Sequence, residues 1–180
     1  MLERSIRSAR RPGSPSPRSI RRRIKTARLA GRQVKSLDKN KSEILDRIAS
    51  LRPDSVRRWG KMTCHQMVVH LSDSYLCGLG EKIASPQKPP IPQGIMKWGA
   101  LYVPLKWPRG VPTRPEMEQG IGGTAPTEFN QDRETLIALV TRFASANPQS
   151  NHPIFGSMTE KDWLRWGYLH SDHHLRQFGV

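Results

Sequence analysis

Cysteine is scarce in this chain of 180 residues, which has two, Cys64 and Cys77. Both fall in a segment with helical periodicity, where thirteen residues at about 1.5 Å of rise separate them by roughly 20 Å, far beyond the ~7 Å between Cα atoms that a disulfide allows. They are expected to be free thiols, as suits a reducing compartment, and their spacing matches no zinc finger. Long apolar runs are missing as well. Nothing approaches the roughly 20 residues that span a bilayer, and no short apolar block follows the N-terminal charges as in a secretory signal. A soluble, cytoplasmic protein with no membrane partner is expected. Alternating apolar and polar positions of useful length are absent, which argues against a β-sheet. No serine lies in a Gly-x-Ser-x-Gly context, and no glycine-rich phosphate loop follows a strand, since Gly120 to Gly123 has none before it.

Acidic residues are also few: 15 Asp and Glu stand against 30 Lys and Arg, a formal net charge of +15. The excess is not spread evenly. Residues 1–41 hold 14 of the basic residues with only Glu3 and Asp38 opposing them, so the rest of the chain is nearly balanced. Residues 1–35 read as a basic, disordered extension punctuated by Pro12, Gly13, Pro15 and Pro17, with too little apolar surface to offset its ordering entropy. A short basic helix between Ser19 and Ala30 is compatible with it. Such a tail would attract nucleic acid or another anionic partner weakly and without sequence preference, through counterion release. Its Arg-rich, Ser-rich composition also matches an organellar transit peptide, and a misassigned start is the simpler alternative.

Residues 36–180 carry four helical patterns. The first runs from about Asn40 to Leu51, with Asn40 and Glu43 at cap spacing and Ile44, Ile48 and Leu51 inward. The second starts at Thr63, where Thr63 and Gln66 form a capping box, and runs on to Gly78 and Gly80. The third spans about Asn130 to Ala146, with Leu136, Val140 and Phe143 inward and Asn147-Pro148 as the stop. The fourth repeats the opening of the second, with Thr159 and Asp162 in place of Thr63 and Gln66. Between helices two and three lies a connection, residues 85–127, with nine prolines, Trp98, Trp107 and a short helix expected over Met96–Leu105. Connections this long inside a domain tend to be lids or binding loops. The fold class is therefore all-α.

Five of six histidines lie in or beside two of these helices. His170 and His174 are four residues apart and so share one face, about one turn from each other. Two imidazoles so placed can bind one cation at about 2.1 Å each. His70 in the second helix lies between apolar neighbours, with Gln66, Asp73 and Cys77 on its side. Read alone, His70 is a core histidine bonded to a carbonyl. Gathered with the pair, it completes a three-histidine set with coordination positions left open for water, a substrate atom or a thiol. Gln66, Asp73, His173 and Gln177 are candidates to orient these ligands from behind. Asp73, Asp172 and His173 are the candidates for a general base. Cys64 and Cys77 read as small buried hydrophobes, and His152, held extended before Pro153, as a loop anchor.

Three stretches resemble a known family. They are Trp59-Gly60-Lys61-Met62-Thr63-Cys64-His65-Gln66-Met67 with His70, then His152-Pro153-Ile154-Phe155-Gly156, then His170-Ser171-Asp172-His173-His174-Leu175-Arg176-Gln177-Phe178-Gly179. In this order they are similar to a domain of unknown function (DUF 1569 type) within the DinB/YfiT-like superfamily of metalloenzymes, largely bacterial, over roughly residues 36–180. The resemblance implies a four-helix bundle of up-down-down-up course with a Pro-rich crossover between helices two and three. It also implies a divalent metal, Zn, Ni, Fe or Mn, held by His70, His170 and His174. Relatives in the superfamily include transferases and isomerases that use low-molecular-weight thiols such as bacillithiol or mycothiol. The expectation is a metal-dependent enzyme acting on a small molecule, with a thiol as cosubstrate; a homodimer is compatible with it.

Overall fold

Two threonines open two of the helices by the same device. The Thr63 hydroxyl accepts from the Gln66 N–H at 3.1 Å, and the Gln66 side-chain oxygen accepts from the Thr63 N–H at 2.9 Å. Thr159 and Asp162 repeat the exchange at 3.2 and 3.0 Å. Each box satisfies two N–H groups that a helix start leaves without partners. The computed structural model describes residues 35–87, 90–146, 148 and 151–180. Residues 1–34 of the basic extension, where the short helix and any contact with an anionic partner are expected, fall outside the described residues.

Among the described residues five α-helices follow one another: α1 Leu37–Ala49, α2 Cys64–Gly78, α3 Gln93–Tyr102, α4 Phe129–Ser145 and α5 Glu160–Gln177. A 3₁₀ turn, Pro115–Met117, sits between α3 and α4. There is no strand among the described residues, as the all-α expectation requires, and none of their helices is long and apolar enough to cross a membrane.

The first helix begins earlier than its sequence suggests. Asn40 is not the cap: it lies inside α1 at a kink, with φ −120° and ψ 21°, and its side-chain oxygen accepts from the Ser36 N–H at 3.3 Å. Burial explains the extra turn. Leu37 is fully buried, and its Cδ2 lies 3.1 Å from where Gly167 of α5 would carry a Cβ. The gain from burying a leucine, about 1.5–3 kcal/mol, outweighs a local cap signal worth about 1. In α4 the cap is Glu128, whose carboxylate accepts from the Gln131 N–H at 2.8 Å. The short helix of the long connection also lies nearer the N-terminus than expected, starting directly after Pro92.

The core forms where the long helices meet: α1 packs along α4 and α5, and α2 along α4. Ile44, Ile48 and Leu51, then Met67, Leu71 and Tyr75, then Leu136, Val140 and Phe143, then Trp163 and Leu175 are all buried in one cluster. The long connection is tied onto this core rather than left loose. Lys97 and Tyr102 of α3 reach the Asp162 carboxylate at 3.1 and 2.5 Å, and Arg165 Nε donates to the Leu101 carbonyl. Burial alone would push the Asp162 carboxyl up, but hydrogen bonds from Tyr102, the Thr159 N–H and Lys97 outweigh it and hold it at about 2. Asp162 thus serves as helix cap and as anchor for α3 at once.

Candidate metal centre

His170 and His174 occupy successive turns of α5, and α2 brings His70 against both. Ring centroids are 5.4 Å apart for His70 and His170, 4.7 Å for His70 and His174, and 4.8 Å for His170 and His174. One nitrogen from each ring lies within 4.8 Å of the others. Donors at about 2.1 Å from one tetrahedral cation stand about 3.4 Å apart, so small side-chain rotations close the set. His70 and His174 are buried, and His170 is partly so.

Second contacts fix the tautomers of two of the rings. A carbonyl only accepts, so His70 Nδ1, 3.1 Å from the Met117 carbonyl, carries the proton and leaves Nε2 with a lone pair. Gln177 does the same for His174 by a longer chain. Its amide nitrogen donates to the Trp59 carbonyl at 2.8 Å, which turns its oxygen toward His174 Nδ1 at 3.2 Å. His174 Nδ1 is then the donor and its Nε2 is free. The third ring differs, because the buried Nδ1 of His170 has no hydrogen-bond partner among the described residues.

Burial pulls all three imidazoles below their ordinary range, and for His170 and His174 the neighbouring histidines add to the effect. Neutral imidazoles with outward lone pairs are the form that binds metal. A buried donor set of three such rings, one with an orphaned nitrogen, fits a divalent cation with N-ligand preference.

The remaining expected residues separate. Gln177 touches His174, and the His173 ring lies edge-on to it at 5.1 Å. Gln66 spends its oxygen on the α2 cap. Asp73 points to the glycine-rich loop, where it accepts from the Thr124 N–H at 2.9 Å and hydroxyl at 2.6 Å and pairs with Lys82 at 3.0 Å. Asp172 pairs with Arg47 at 3.0 Å and Arg176 at 2.8 Å. His65 donates to Asp132 at 2.7 Å, apart from the cluster. His152 accepts the Ile154 and Phe155 N–H groups on its Nδ1 at 3.1 and 3.2 Å, which holds its loop closed.

Several residues at the site carry no advance signal in the sequence. The Met117 carbonyl is one, since backbone acceptors are invisible to residue type. Another is Trp107, tilted over His170 at 6.0 Å and His173 at 6.1 Å and fixed by its Nε1 donating to the Ala100 carbonyl at 2.8 Å. Gly60 is a third, with φ +84°, and a Cβ there would collide with Gln177 Nε2. An open groove of about 450 Å³, lined by residues including Ser55, Arg57, Thr63, Cys64 and Phe178, contains none of the histidines.

A family model described as "Protein of unknown function (DUF1569)" matches residues 31–179. No curated protein and no solved structure matches the chain.

Proposed function

Since the chain belongs to the DUF1569 family of proteins of unknown function, whose membership brings no reaction with it, we propose from the site itself that it is a metal-dependent enzyme with His70, His170 and His174 as the ligands. One observation carries the reading: three neutral imidazoles from two helices converge, and the buried Nδ1 of His170 finds no partner among the described residues. A buried polar nitrogen left unpaired costs about 1–3 kcal/mol, a cost that coordination of that nitrogen to a cation would offset.

A divalent cation held there supplies Lewis acidity and an open position for water or a substrate atom. The chain does the rest. Met117 and Gln177 orient two rings, Trp107 shields the cluster from solvent, and α2 and α5 hold the ligands on rigid elements. Four long helices with an extended connection between the second and third suit a DinB-like bundle, the fold to which we assign this site. A low-molecular-weight thiol is the cosubstrate we favour. Burial pushes the Cys64 thiol up to about 11 and raises Cys77 as well, so neither is a ready source of thiolate and a thiol cosubstrate would supply it instead.

Titration of the metal-free protein with Co²⁺ tests the reading. One equivalent should give an intense visible band of low coordination number, and an added thiol should produce a sulfur-to-cobalt charge-transfer band. No uptake would sink the metal site; uptake without a thiol response would leave a closed structural site and sink the enzyme.

Gly60 provides a second check. Gly60→Ala meets both the left-handed backbone and the Gln177 amide, so Gln177 should be displaced from His174. Cation affinity, measured by chelator competition, is expected to fall about 10–100-fold, as for loss of an outer partner of a ligand. The same loss in Gln177→Ala would locate the effect in the side chain rather than in the turn.

A further inference from the structure

The three ligands bring no negative charge of their own. Three carboxylates in α2, α5 and the 3₁₀ turn are already engaged: Asp73 by Lys82 and Thr124, Asp172 by Arg47 and Arg176, and Glu116 by Arg114 and Ser85. A dication there would keep its full charge in a largely buried setting, where an uncompensated charge is costly. An anionic ligand would supply negative charge there.

One exposed cation is linked to the site through two aromatic contacts. Arg109 lies over the face of Trp59 with its guanidinium carbon 4.2 Å from the ring centroid. Trp59 meets the edge of His173 at 6.2 Å, and His173 meets His174 at 5.1 Å. Two residues before Arg109, Trp107 covers His170 and His173. Among the described residues Arg109 has no carboxylate partner. An arginine flat on an indole keeps its N–H groups pointing outward at its edge, in the fork that matches a carboxylate or phosphate. The carbonyl of Trp59 holds Gln177, which holds His174, so the platform under Arg109 and the ligand geometry are mechanically one piece.

We propose that the site takes an anionic small molecule, whose oxyanion group is held by Arg109 over Trp59 while its other end lies against the three imidazoles beneath Trp107. This rests on the metal reading above and adds to it the class of ligand and the residue that selects it. Arg109 is a specificity residue: it binds the charged end and leaves cation uptake to the histidines.

Two thiols of similar size separate the terms, 3-mercaptopropionate and the uncharged 2-mercaptoethanol. Both are titrated into the Co²⁺-loaded protein at low ionic strength, followed by the charge-transfer band and corrected for the ionised fraction of each thiol. Wild type should bind the charged probe about tenfold or more tighter, the scale of a charge-assisted pair of hydrogen bonds. Arg109→Gln should bring the ratio close to one with Co²⁺ affinity unchanged, and Arg109→Lys should keep part of the preference. A ratio near one in wild type, or a preference that survives Arg109→Gln, overturns the inference alone. Absence of Co²⁺ uptake overturns the metal reading and this inference with it.

Discussion

His174→Ala is expected to lower divalent-cation affinity by more than about a thousandfold. Loss of an outer partner of a ligand costs about 10–100-fold, and here a direct donor goes, leaving two imidazoles that cannot enclose a cation. Its ring is the hub of the cluster, with His70 at 4.7 Å, His170 at 4.8 Å and Gln177 on its far nitrogen. His170→Ala should behave alike. The measurement is metal content after reloading and dialysis, paired with thermal unfolding. A cation at a hundred times its Kd stabilises the folded state by about 2.7 kcal/mol, so wild type should show a metal-dependent rise in Tm that both variants lose. His65→Ala is the control, since His65 is bonded to Asp132 and should leave uptake intact. Retention of one tightly held equivalent in His174→Ala would remove this histidine from the ligand set.

The largest loss of stability is expected at Trp163. Its side chain is 1% exposed and is packed edge-on against Phe143 at 6.0 Å and Trp166 at 5.3 Å. Gly78 of α2 admits it closely: a Cβ there would lie 2.6 Å from Phe143 Cε2 and 3.2 Å from Trp163 Cζ3. Truncation to alanine leaves a cavity that two rigid helices cannot close, at a cost of about 3–5 kcal/mol. Against a typical domain stability of about 5–15 kcal/mol, Trp163→Ala should fold marginally. Trp163→Phe should cost much less, because the buried Nε1 of Trp163 makes no hydrogen bond that phenylalanine would forfeit. Urea unfolding followed by circular dichroism reads both. Equal losses in the two variants would show that the volume a phenyl ring restores is not what carries the contribution.

How much of this was legible in the chain depends on the range of the interaction. Thr63 with Gln66 and Thr159 with Asp162 are three residues apart, and a hydrogen-bond exchange over three residues needs nothing beyond the helix itself. The pairing of His170 with His174 on one face is similar, fixed by helical pitch. Asn40 shows where such reading stops. Its cap spacing is real, yet Leu37, buried against α5, draws the helix start back by a turn. Asp73 shows the same limit at the site. It shares a helix with His70, but a threonine 51 positions away claims its carboxylate.

The sequence by itself determined the helical class, the main helices, the absence of a Cys64–Cys77 disulfide and the three histidines worth joining. These follow from periodicity, capping and residue chemistry, which act within a few residues. Only the tertiary structure decided that the Met117 carbonyl and Gln177 orient the rings, that Trp107 lies over His170, that Arg109 stacks on Trp59 and that, among the described residues, His170 Nδ1 has no hydrogen-bond partner and Arg109 no carboxylate. Each of those contacts joins segments brought together by packing. Spacing along the chain cannot encode where a backbone carbonyl or a crossover loop comes to rest, because burial of the shared core sets those positions.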